Sequence, residues 1–461
     1  VEGVVAVVGV QRAEAEVAEA KAQLTTVAQQ VQEANIQLTQ VAEQVTEGEA
    51  RIESLRLAGQ ANNLMGQSVA NGETAALLAI RGLNTTYSPQ AYGALYDTMP
   101  YLYTESILTG HMGEVLGALE LSDGRLLSWC NDNTLRLWDA DGVALATLSG
   151  HTGSVSGTLA LSSGRLLSWS TDGTLRLWDA DGKLIATLSG HTGEVLGALE
   201  LGDGRLLSWG WNGTLRLWDA DGGAITTLSG HTDSVMGALE LGDGRLLSWS
   251  ADDTLRLWDA DGGAIATLSG HTGWVYGALE LSSGRLLSWS HDGTLRLWDA
   301  DGGIIATLPG HMGDVTGAME LSSERLLSWS YDNTLRLWDA DGGAIATLSG
   351  HTGYLWSAME LSDGRLLSWS YDNTLRLWDA DGTAIATLSG HTDSVRGALE
   401  LSEGRLLSWS SDGTLRLWDG DGDALTTLSG HTGAVLGALE LRQGRLLSWS
   451  SDGTLRLWDA D

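Results

Sequence analysis

An apolar stripe runs at seven-residue spacing through the start of the chain: Val10, Val17, Leu24, Val31, Leu38, Val45 and Ile52. A second series, Ala13, Ala20, Val27, Ala34, Val41, Gly48 and Leu55, follows three residues behind. The alternation of three and four keeps one face of a helix apolar, so residues 1–56 are predicted as a long helix with coiled-coil character. β-Branched residues in the first series favour few strands, and the alanines of the second weaken the seam. Self-association through residues 10–55 is expected; a single helix packing on a neighbouring domain is the alternative. Residues 57–100 form a short helical connector. Three short helices are expected here, Glu53 to Met65, Glu73 to Leu83 and Pro89 to Met99, broken at Asn71-Gly72 and Thr86-Tyr87-Ser88-Pro89. From Tyr101 to Asp461 the pattern changes to short apolar runs of the strand type, VxGALEL, LLSWS, TLRLWD and ATLSG, each followed by a Gly- or Asp-containing turn.

These runs recur. Gly-His appears at Gly110-His111 and then every 40 residues to Gly430-His431, nine copies in one register. Trp-Asp closes the third run of each copy, from Trp138-Asp139 and Trp178-Asp179 to Trp458-Asp459. The chain therefore resembles the WD-repeat family, whose repeats of about 40 to 45 residues build four-stranded propeller blades. The resemblance covers residues 101–461 and implies an all-β propeller, here of nine four-stranded blades, although seven or eight are commoner in the family. The ninth copy ends at Asp461 without the ATLSG strand that follows every earlier Trp-Asp. Ser106-Ile107-Leu108-Thr109-Gly110 has that pattern and no blade of its own, so this N-terminal strand is expected to complete the last blade and remove an exposed edge. The resemblance also implies a buried network in each blade: in the second copy His151, Asp172, Ser168 or Ser170, and Trp178. The tryptophans of the second strand, Trp129 to Trp449 at every fortieth residue, are expected to pack between blades.

Charge narrows the partners. Against 59 acidic residues stand 26 basic ones, a net charge of −33, and the only lysines are Lys21 and Lys183. Nucleic-acid binding needs cations to displace phosphate counterions, so no nucleic-acid partner is expected. One cysteine, Cys130, excludes an intrachain disulfide and a clustered-cysteine metal site. No run of about twenty apolar residues occurs, so no membrane span is expected in this segment. The apolar start from Val1 to Val10 lacks the features of a secretory signal, and cytoplasmic localisation is expected. The chain does not begin with methionine and is read as a fragment with further sequence upstream.

The copies are nearly identical, and three positions vary freely: the third and fifth residues after the histidine and the residue before the turn aspartate. Both loops belong to the same end of a blade, so the variable side chains are expected on one rim. Among them Trp274, Tyr276, His291, Tyr331, Tyr354, Trp356 and Tyr371 fall on three consecutive copies, the fifth to the seventh. Large rigid aromatics dominate binding hot spots, so this arc is the candidate partner-binding site; scattered surface aromatics are the bland alternative. Arg396 on the next copy is a candidate partner for an acidic group, and Trp211 lies two copies before the arc. The Asp139-Ala140-Asp141-Gly142 turns begin like calcium loops but lack the later bidentate glutamate and suit ordinary turns. No nucleophile-elbow, zinc-protease or P-loop sequence occurs, so neither catalysis, a metal nor a cofactor is expected.

The stretches RLAGQANNL, ETAALLAIRGL and SPQAYGALYDTM resemble the helical connector that precedes propellers in bacterial STAND-type signalling ATPases. That likeness implies a sensor at the C-terminal end of a longer signalling protein. The expected function is a sensor or scaffold binding a protein or peptide. A carbohydrate-binding propeller is the runner-up, because sugars stack on Trp and Tyr beside acidic groups, and recently amplified blades without a ligand are a third reading.

Overall fold

A computed structural model describes residues 47–65, 72–85, 88–98 and 103–459. The coiled-coil expectation for residues 10–55 falls almost wholly outside these residues. Tertiary contacts divide the chain into two compact units, residues 1–103 with 459–461, and residues 104–458.

In the first unit three helices are described: α1 (Glu47–Met65), α2 (Gly72–Thr85) and α3 (Pro89–Thr98). Their shared core is almost entirely alanine, Ala58 and Ala61 from α1, Ala75 and Ala79 from α2, and Ala91 and Ala94 from α3. Side chains this small bring helix axes close, with Leu78, Ile80 and Leu83 filling the margin. Ser88 starts α3 as its N-cap: its hydroxyl accepts the Ala91 N–H at 3.1 Å, and Pro89 takes the first helical position. The same hydroxyl meets that of Ser54 on α1 at 2.9 Å, so the cap also ties two helices together.

The second unit contains nine four-stranded antiparallel sheets. In the first blade the strands are Val115–Glu120, Leu126–Cys130, Leu135–Trp138 and Ala144–Leu148, hydrogen-bonded in that order. First strands of neighbouring blades contact each other, which places them innermost. The Asp of Trp-Asp makes the outer hairpin: Asp139 Oδ1 accepts the N–H groups of Asp141 at 3.0 Å and Val143 at 2.8 Å. Asp-Ala-Asp-Gly is thus a self-satisfied turn, with Gly142 in the left-handed region at φ 85°.

The core lies between blades. Leu127, Leu135, Leu137 and Leu148 of the first blade pack against Val155, Leu166 and Trp178 of the second, with Trp129 partly buried alongside. The Trp of Trp-Asp therefore faces the preceding blade and the second-strand Trp the following one. Trp129 lies across Gly117, its cross-strand partner, where any Cβ would collide with the indole carbons. That collision accounts for the glycine in eight of the nine copies; the seventh carries Ser357 there, opposite Trp369.

The ninth blade is completed by Thr104–Leu108, which pairs antiparallel with Leu455–Trp458. Leu108 opposite Leu455 repeats the register of Leu148 opposite Leu135. Leu108, Leu441, Leu447, Leu455 and Leu457 then pack with Val115, Leu126 and Trp138 of the first blade, so the ring is closed.

Candidate functional site

Each blade carries one buried polar cluster that positions its rim loops. In the second blade His151 Nε2 contacts Ser168 Oγ at 2.9 Å and His151 Nδ1 contacts Asp172 Oδ2 at 3.0 Å. Trp178 Nε1 donates to the same Ser168 hydroxyl at 2.9 Å. The cluster uses Ser168 and not Ser170, whose hydroxyl donates instead to the Gly153 carbonyl at 3.0 Å. The two serines are alternate residues of one strand, both fully buried, and differ in the neighbours they meet, which the sequence did not distinguish. Burial pushes the pKa of His151 down from its ordinary value, against the raising effect of Asp172. For Asp172 burial acts to raise the pKa, but hydrogen bonds from Thr174, the Thr152 N–H and His151 outweigh it and hold the carboxyl at about 2.

The cluster pins the two rim loops together. In every blade the residue before the turn Asp, or before Asn212 in its place in the third blade, donates its backbone N–H to the carbonyl of the third residue after the histidine, as Asn131 to Glu114 at 3.1 Å and Tyr371 to Tyr354 at 2.9 Å. The fifth residue after the histidine is an irregularity in the ladder, between Val115 and Gly117 in the first blade and Leu355 and Ser357 in the seventh. A bulge re-aims a side chain out of the strand alternation. All three variable positions therefore lie at one end of the blade.

On the fifth to seventh blades these positions form two groups of side-chain contacts, joined within the sixth blade by the Tyr331 N–H donating to the Asp314 carbonyl at 3.0 Å. Trp274 and Tyr276 both approach the His291 ring, with centroids 6.3 and 6.2 Å away. Asp314 of the sixth blade then accepts the Tyr276 hydroxyl at 3.2 Å and lies 3.5 Å from His291 Nε2. Tyr331 packs on Tyr354 across the next seam at 5.0 Å, and Tyr354 meets Tyr371 edge-on at 6.2 Å. Trp356 stacks on Tyr371 at 4.9 Å and 14°. Burial and the nearby Asp314 carboxylate push the Tyr276 hydroxyl up to about 12, so it stays protonated and donates. A cavity of about 660 Å³ opens here, lined by Tyr331, Asn333, Thr352, Gly353, Tyr354 and Tyr371.

The two outlying candidates stand apart. Trp211 is 60% exposed on the third blade, two blades before the arc. Arg396 Nε donates to Ser411 Oγ at 2.7 Å within its own blade. Asp314, Asn333, Thr352 and Gly353 were not singled out from sequence. No sequence signal marks Asp314, because a residue at the third position after a histidine meets the preceding blade's turn, 23 residues back, only once the blades pack side by side, as Asp314 does beside His291.

One group in the first blade has metal-ligand character: atoms of His111, Cys130 and Asp132 lie within 4.8 Å of one another. Burial pushes the Cys130 thiol up to about 12, so it is protonated, and His111 Nδ1 and Asp132 Oδ2 are already paired at 3.2 Å.

A closed ring of four-stranded blades with a buried His–Ser–Trp cluster in each defines a β-propeller of repeat type. The chain belongs to the WD40 family: eight segments, 142–179, 182–219, 222–259, 262–299, 302–339, 342–379, 382–419 and 422–459, match the WD domain, G-beta repeat. Each matched segment runs from the outer strand of one blade to the Trp-Asp of the next, so the matched repeat and the blade are offset by one strand. Among solved structures the chain is similar to the computationally designed Ika8 protein, with 25% identity over 68% of this chain and 98% of that one and a TM-score of 0.55. It is also similar to the WD40 beta propeller domain of Doa1, with 26% identity over 60% and 96% of the two chains and a TM-score of 0.42. No curated protein matches. Among the described residues no helix is long and apolar enough to cross a membrane.

Proposed function

We propose that the propeller is a non-catalytic interaction module that docks a protein or peptide partner on the aromatic arc of its fifth to seventh blades. The observation that carries this reading is the clustering of the arc: seven aromatic or histidine side chains from three blades form two contact groups, each crossing a blade seam, one completed by Asp314, and the two are joined within the sixth blade by the Tyr331 N–H donating to the Asp314 carbonyl. Trp274, Tyr354, Tyr371 and Trp356 remain substantially exposed, at 51%, 54%, 45% and 37%. Rigid rings held against one another lose little freedom on binding, and truncating such an anchor typically costs about 2 kcal/mol or more. Arg396 and Trp211 would contribute at the margins. The helical region is proposed to convey or multimerise the binding event, in keeping with its seven-residue stripe and its likeness to connectors of bacterial signalling proteins.

The test is partner capture from native extract by the chain and by a variant with Trp274, Tyr276, Trp356 and Tyr371 changed to alanine. Loss of specific partners by the variant, with thermal stability retained, is the expected outcome; undiminished capture discredits the arc. A glycan array run in parallel decides the sugar-binding alternative, which the tyrosine rings beside Asn333 and Thr352 also suit.

A further inference from the structure

We propose that the cavity between the sixth and seventh blades is a cage for a permethylated ammonium group at the end of a partner's side chain. This rests on the reading of the arc as a docking surface and specifies what one part of it holds. Three tyrosine rings, Tyr331, Tyr354 and Tyr371, line the cavity, and its volume of about 660 Å³ is that of a small-ligand site. Tyr354 stands between the other two, tilted 39° to Tyr331 and 80° to Tyr371, so the rings present faces and edges in different directions around one space. The walls are held in place: Trp356 backs Tyr371, and the Tyr371 N–H donates to the Tyr354 carbonyl at 2.9 Å.

Charge decides the sign of the ligand. The chain carries −33, and aromatic ring faces carry a negative quadrupole that attracts cations. Burial, then Tyr371, Asp314 and Tyr354 in turn, raise the pKa of the Tyr331 hydroxyl, so phenolic oxygens and a carboxylate converge near this wall. The net charge and these neighbours favour a cation over an anion.

Hydrogen bonding decides which cation. No carboxylate lines the cavity, and Asp314 is engaged by Tyr276 and His291 outside it. A primary ammonium brings three N–H donors and a guanidinium five, which here would exchange water for phenol, amide and threonine oxygens only. A permethylated ammonium has no donor to satisfy; its charge is spread over methyl groups that contact ring faces directly.

The experiment titrates the full chain with choline and with 3,3-dimethylbutan-1-ol, its neutral carbon counterpart, by ligand-observed NMR. Choline is expected to bind at least about tenfold more tightly, equivalent to about 1.4 kcal/mol. Tyr354→Ala is expected to remove that preference, while Tyr354→Phe keeps it within about twofold because the ring and not the hydroxyl carries it. Equal binding of the two probes, or no saturable choline binding, overturns the proposal. A peptide pair differing only in lysine against trimethyl-lysine then fixes the source; a choline preference without a peptide preference overturns the side-chain assignment. If the four-alanine arc variant loses its partner while the two probes bind equally, the docking surface stands and the cage alone fails.

Discussion

At the scale of the residue, the buried histidine–aspartate pairs make stability depend on pH. His151 has a pKa below its ordinary 6.5 in the fold, so the folded state binds fewer protons than the unfolded chain once the pH falls below that value. Its contribution is complete above 6.5 and is lost as the pH falls through the folded value. His111 and His431, and likewise His191, whose partner is Asn212 in place of an aspartate, shift in the same direction, burial being the first cause in each. Asp172, ordinarily at 3.8 and held at about 2, contributes fully above 3.8 and loses its share as the pH falls towards 2. Both kinds of group act with the same sign on acidification. The melting temperature is expected to be flat above about pH 7, to decline below about 6.5 and to fall more steeply below about 4. Calorimetry across that range checks it, and a maximum near pH 5 would be incompatible with neutral buried histidines.

At the scale of the element, glutamates at the ends of the innermost strands clamp each blade to the one before it. Glu200 accepts both the N–H and the hydroxyl of Ser162 at 2.7 Å, and Glu320, Glu360, Glu400 and Glu440 repeat this with Ser282, Ser322, Ser362 and Ser402. Glu240 and Glu280 make the backbone half of the clamp with Gly202 and Gly242. Glu120 reaches Arg442 N at 3.0 Å and so extends the device across the closing seam. The exception is the seam between the first and second blades, where Ala160 occupies the glutamate position. Restoring the carboxylate with Ala160→Glu is expected to add about 1 kcal/mol through charge-assisted bonds to Ser122. A raised denaturant midpoint, with slowed hydrogen exchange confined to those two blades, is the readout; an unchanged midpoint means that the clamps contribute nothing net.

At the scale of the whole propeller, stability depends on one short strand. Because each matched repeat begins with an outer strand, the last blade lacks one until Thr104–Leu108 supplies it. Leu108, 1% exposed, is the buried anchor of that closure. Leu108→Ala is expected to cost about 2–5 kcal/mol, as large-to-small changes in a packed core do. Its signature separates it from an ordinary core lesion: hydrogen exchange should rise first in residues 104–108 and 435–458, on both sides of the closing seam. A uniform loss of protection around the ring would show that closure is not the weak point.

What the sequence determined alone is whatever repeats. A forty-residue register with Gly-His, Asp and Trp at set intervals encodes strand, turn and inter-blade contact locally, nine times over, so the propeller, its count of blades and its N-terminal closing strand are legible from Gly110, Trp138 and Leu108. The rim was legible for the same reason, since departures at Trp274, Tyr331 or Trp356 stand out against constant copies. What only tertiary structure decided lies across seams or in the neighbours a side chain meets. Ser168 takes the buried cluster and Ser170 does not because alternate residues of a strand meet different neighbours. Asp314 bridges Tyr276 and His291, and Tyr331 meets Tyr354, because bending the sheets into a ring brings together positions 23 and 38 residues apart. No local pattern records that approach, since it is fixed by the angle at which one blade packs its Trp and Leu against the next.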